Sequence, residues 1–175
     1  MTAGSARTWP APVGTALGEF YRAHSRHRRI CTSLVAAAAT PDSPPRALQP
    51  LLSDLAADFQ RLDVAEQLLF GLLRQRAEPE DDIARVLGIL AADYDASRAT
   101  MCELGAALQS PRGARVERAA IAEMVERLVA RKLRTIALEN AVVLPIARLR
   151  LGVDDLAQLA ACLDPQQPAA SNTPA

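Results

Sequence analysis

Apolar residues recur along most of this chain in steps of three and four, the repeat of an amphipathic helix. Four long runs can be followed. The first covers about residues 15–39, with Leu17, Phe20, Tyr21, Cys31, Leu34, Val35 and Ala38 on one stripe. The second covers about 47–76, through Leu52, Leu55, Phe59, Leu62, Leu69 and Leu73. The third opens at Pro79, where Glu80, Asp81 and Asp82 complement a helix N-terminus. It runs to about residue 108 through Ile83, Leu87, Leu90, Tyr94, Ser97, Met101, Leu104 and Leu108. The fourth covers about 114–149 with a broad face of Ile121, Met124, Leu128, Val129, Leu133, Ile136, Val142, Val143 and Ile146. Pro145 lies inside it and predicts a kink near its end. A short fifth helix opens at Asp154 or Asp155 and ends near residue 163.

The breaks carry turn chemistry: TPDSPP at 40–45, then Ser110, Pro111 and Gly113. No strand signal and no internal repeat is visible. The expected fold is all-α, an up-down-up-down four-helix bundle with a short C-terminal fifth helix. Residues 1–13 read as a flexible arm that Trp9 pins to the body, 14–164 as the bundle, and 165–175 as a disordered tail with nothing to bury.

Polar residues interrupt the core stripes at one level. His24 falls in the centre of the first stripe, with His27 and Arg28 on its flanks. Glu66 takes the slot between Leu62 and Leu69, Tyr94 is inward on the third stripe, and Glu139 and Asn140 stand inside TIALENAVVLPIARLRL. A carboxylate on a core face is costly unless something pairs with it. These four inward groups, His24, Glu66, Tyr94 and Glu139, are expected to meet at mid-height.

Composition narrows the function. Half of the 175 residues are hydrophobic, and 20 Lys plus Arg balance 20 Asp plus Glu. The balance argues against a nucleic-acid partner, which calls for a net basic face. No apolar run has the length of a membrane span, and the first residues lack a signal-peptide core. Cys31, Cys102 and Cys162 fit no zinc spacing and read as small buried thiols in a reducing cytoplasm. There is no Gly-rich phosphate loop and no Ser/His/Asp arrangement. Arg26, Arg28 and Arg29 read as a solvated helix face.

Five stretches resemble the bacterial hemerythrin-like family, four-helix bundles that hold a non-haem di-iron centre: FYRAHSRHRRIC, AEQLLFGLLRQR, LAADYDASRATMCEL, TIALENAVVLPIARLRL and VDDLAQLAACL. They span residues 20 to 163. The resemblance implies metal ligands at His24, Glu139 and Glu66. It also implies vacated ligand positions. Tyr94 stands where the third helix would carry a histidine, and Thr135 where the histidine before Glu139-Asn140 would be. On the second helix the family's histidine and glutamate fall on Arg61 and Ala65, or, one residue along, on Leu62 and Glu66. Two irons need several imidazoles and bridging carboxylates; His24, Glu66 and Glu139 supply at most three ligands, and Asp93 and Asp95 sit off the core stripe. The expectation is a non-catalytic regulatory, structural or partner-binding bundle with a degenerate metal site and no cofactor, in which Arg61 pairs with Glu139 in place of metal. It would pair with a protein partner or a second copy through helix faces. The alternative is a protein that senses or stores O2, NO or iron through a reduced site with non-haem iron.

Overall fold

The computed structural model describes residues 16–40, 44–109 and 118–163. The expected N-terminal arm with Trp9, the expected tail from 165, and the first residues expected of the fourth helix lie outside them. Among the described residues the chain is helical, without strands: α1 (Ala16–Ala39), α2 (Leu48–Arg76), α3 (Ile83–Gln109), α4 (Arg118–Leu138), a π-helical turn (Glu139–Val143), α5 (Leu144–Arg150) and α6 (Val153–Leu163). Helix α1 packs against α2, α4 and α6, α2 packs against α3, and α3 against α4. No described helix is long and apolar enough to cross a membrane.

The core is built from the stripes. Phe20, Leu34, Leu55, Leu69, Leu73, Leu87, Leu90, Leu104, Leu128 and Val143 are buried in one cluster. Two residues expected in it are not: Val35 is 39% exposed and Leu133 40%. On α4 the buried line is Ile121, Val125, Leu128, Lys132 and Thr135, continuing to Glu139 and Val143. That line steps by four and three, and it puts Lys132, not Leu133, inside.

The third helix starts later than its acids suggest. Pro79–Asp81 is a 3-10 turn closed by a capping box between Glu78 and Asp81. Asp82 then adopts a left-handed conformation with φ 46°, which separates the turn from α3. The fourth run is likewise not one helix. Proline cannot donate to the carbonyl four residues back, and its ring crowds that carbonyl. Ahead of Pro145 the ladder widens, so that the Leu144 N–H reaches the Glu139 carbonyl five residues back.

The cysteines divide. Cys31 is buried, but Cys102 and Cys162 are exposed, so the reading of three buried thiols holds for one. Helix α6 is held by Asp155, whose carboxylate accepts from the Arg76 guanidinium at 3.1 and 3.2 Å and from the Gly152 N–H at 3.1 Å.

Candidate functional site

The inward polar groups converge where α1, α2, α3, α4 and the π turn meet. His24, Glu66, Tyr94, Thr135 and Glu139 are all buried. The π turn explains how two consecutive residues serve one partner. In a wider turn the angular step between neighbours is smaller, so Glu139 and Asn140 both reach α1. His24 Nδ1 lies 2.7 Å from Asn140 Oδ1, and His24 Nε2 lies 2.7 Å from Glu139 Oε2, off the hydrogen-bond axis. Both ring nitrogens thus face oxygens.

Tyr94 ties the carboxyls together. Its hydroxyl donates to Glu139 Oε1 and also touches Glu66. The ring stacks on Phe70 with centroids 6.2 Å apart and meets Phe59 edge-on at 6.3 Å. Burial, then the two carboxyls, push the phenol well above its ordinary range. Thr135 returns its hydroxyl to the Arg131 carbonyl at 2.8 Å, one helical turn back.

The carboxyls are driven apart. Burial first, then the Glu139 charge, raise Glu66 to about 8, so it is mostly neutral at pH 7. Burial works on Glu139 too, but its contact with His24 and the charges of His24 and Lys132 outweigh it and hold Glu139 below the usual carboxylate range.

Lys132 is the residue that sequence reasoning missed. It is 1% exposed, with Nζ 4.0 Å from the Phe59 ring centroid and 5.5 Å from that of Tyr94. The Nζ has no hydrogen-bond partner among the described residues. The signal was present, because Lys132 stands at 4-3 spacing between Leu128 and Thr135. Arg61, expected to be the internal cation, is not. It is exposed and reaches Asp58 Oδ1 at 2.9 Å, three residues back on its own helix. The line Leu55, Leu62, Leu69 and Leu73 faces the core, and Arg61, one residue from Leu62, is turned about 100° away from it.

Two flanking groups also depart from expectation. His27 is fully buried, stacked on Phe59 at 5.7 Å, and burial with the Lys132 charge drives it down to about 2. Asp93 is buried as well, but against α4, where Arg134 Nε donates at 2.8 Å. Asp95 stays exposed near Arg98.

The donor set does not fit a metal pair. His24 and Glu139 are engaged with each other, with Asn140 and with Tyr94, and Lys132 adds a positive charge beside them. Among the described residues no group of three or more His, Cys, Asp or Glu is arranged to hold a metal ion. The fold and this site define an all-helical domain around a buried polar core in which the chain supplies its own counter-charges. Comparison with protein-family models, with curated proteins and with solved structures finds no match.

Proposed function

We propose that this chain is a hemerythrin-like, up-down-up-down four-helix bundle whose metal site has become an internal polar core. In this reading it is a non-catalytic cytoplasmic protein that works through its outer helix faces, as a regulatory or structural element bound to a protein partner or a second copy. The resemblance of five stretches supports the family, and the closed circuit of neighbouring helices supports the bundle. The observation that carries the loss of metal is the commitment of the candidate ligand atoms: His24 Nδ1 to Asn140, and Glu139 Oε1 to Tyr94.

A second reading, a reduced site taking one divalent metal at His24, Glu66 and Glu139, draws on one detail. His24 Nε2 and Glu139 Oε2 lie close together with neither in a hydrogen bond. One experiment separates the two. The protein is purified without chelator, its iron, zinc and manganese per chain are measured, and Fe(II) is added anaerobically before air is admitted. The expected result is well under one metal per chain, no oxo-bridged iron absorption and a Tm indifferent to chelator, since a metal bound only to the native state would raise Tm. About one metal per chain, lost in His24→Ala and Glu139→Ala, would establish the second reading. Two irons with an oxygen-dependent spectrum would overturn the first.

A further inference from the structure

Six side-chain nitrogen and oxygen atoms of the described residues are buried without a hydrogen-bond partner, and all belong to His24, Arg26, His27, Lys132 and Glu139. Buried polar atoms are nearly always paired, so their concentration in one place calls for a physical reason. Electrostatics supplies it. Two carboxyl groups share one phenol in the core, and the ionised one, Glu139, is stabilised by positive charge nearby. His24 Nδ1 meets Asn140, and its Nε2 lies 2.7 Å from Glu139 Oε2 without a hydrogen bond. Lys132 is the other cation at this core, and its charge favours the ionised form of both Glu66 and Glu139.

The position of the ammonium is unusual for a structural ion pair. A lysine placed to bridge carboxylates would donate to them directly, because it has three hydrogens and no other means of satisfying them. Here Nζ sits over Phe59 and beside Tyr94. Ring faces attract a cation without accepting conventional hydrogen bonds. The ammonium is therefore held as a point charge, as a bound metal ion would be. We infer that Lys132 is the resident cation of this core, held against Phe59 and beside Tyr94, the phenol that bonds Glu139, and that its charge there closes the site to metal ions.

Access is not what excludes metal. A groove of about 360 Å³ between α2 and α3 is lined by Glu66 and Tyr94 together with Phe70, Arg74 and Arg98, so the carboxyl cluster has an opening on that face. An entering divalent ion would meet a positive charge near its ligands, and that repulsion is screened less in the core than in water.

The inference rests on the metal-free reading above but can fail independently of it. Co(II) is titrated calorimetrically into the wild type and into Lys132→Ala, with Tm recorded at each ratio. The expected result is no binding by the wild type, one Co(II) per chain in Lys132→Ala with a Tm that rises with metal, and loss of both in Lys132→Ala with Glu139→Gln. No binding by either protein overturns the role of Lys132 while leaving the metal-free reading standing. Binding by the wild type overturns both. Should Lys132→Ala not fold, Lys132→Met keeps the volume and removes only the charge. Adding Glu139→Gln to it should then bring Tm back toward the wild type; losses that merely add would overturn the inference.

Discussion

At the scale of single residues, the molecule turns on which cation faces Glu139. Sequence alone pointed to Arg61, because it falls on a former ligand position. The structure puts His24 against Glu139 at 2.7 Å, with Lys132 beside Tyr94 as the further buried cation and Arg61 outside, and the two assignments make different predictions. Glu139→Leu leaves Lys132 uncompensated and should cost about 3–5 kcal/mol. Arg61→Leu removes only an exposed pair with Asp58, for about 1 kcal/mol or less. In urea unfolding the double change should cost the sum of the two, and a coupling well away from zero would show that they interact. Tyr94→Phe removes the donor to Glu139 and should cost about 1–3 kcal/mol, the usual cost of an unsatisfied buried acceptor. The inward placing of His24, Glu66, Tyr94 and Glu139 was legible because each interrupts a 3-4 stripe. Lys132 was equally legible by spacing. Apolarity and register disagree at this point of α4: Leu133 is the more apolar neighbour, but Lys132 holds the inward position.

At the scale of elements, the long helices read out well and their ends did not. Stripes report burial, which many residues determine together, whereas ends depend on one or two local conformations. Asp82 is such a case, since nothing in its neighbours announces a left-handed backbone. The π turn is another. Pro145 announced a disturbance, but the widening falls one turn earlier, at the residues that reach His24. Helix α6 gives this scale its own prediction. Asp155 joins α6 to α2 through Arg76 and caps the Gly152 N–H; the Arg76 hydrogen bond first, then the Gly152 one, lower its pKa. A lowered carboxylate contributes stability above its unfolded value and loses it as pH falls. Asp155→Asn should therefore speed amide exchange across Val153–Leu163 while amides in the middle of α1 and α2 stay protected, and acid should do the same to the wild type. Uniform change over all helices would show instead that α6 does not open on its own.

At the scale of the whole molecule, the helical class and the meeting of the polar groups followed from periodicity, while the balance of charge among them required coordinates. That balance sets how stability depends on pH. His27 falls from 6.5 to about 2, by burial first and then Lys132. Below about 6.5 the unfolded chain takes up a proton there that the folded chain refuses, so this group lowers stability as pH falls. Glu66 rises from 4.5 to about 8, by burial and then Glu139. Between those values the folded chain holds a proton that the unfolded chain releases, so this group lowers stability as pH rises through the interval. Each full proton is worth about 1.4 kcal/mol per pH unit. From about 4.5 to 6.5 the two slopes oppose and nearly cancel. Above that window only Glu66 acts, and stability should fall until about pH 8 and then level off. Below it His27 acts, joined by Glu139, whose lowered pKa adds to the loss in acid. Urea midpoints measured across this range should trace a flat top with a shoulder descending on each side. Glu66→Gln should abolish the alkaline descent, and His27→Phe should extend it down to about 4.5. A wild-type profile that stays level from pH 6.5 to 8 would mean that Glu66 is already ionised in the folded core.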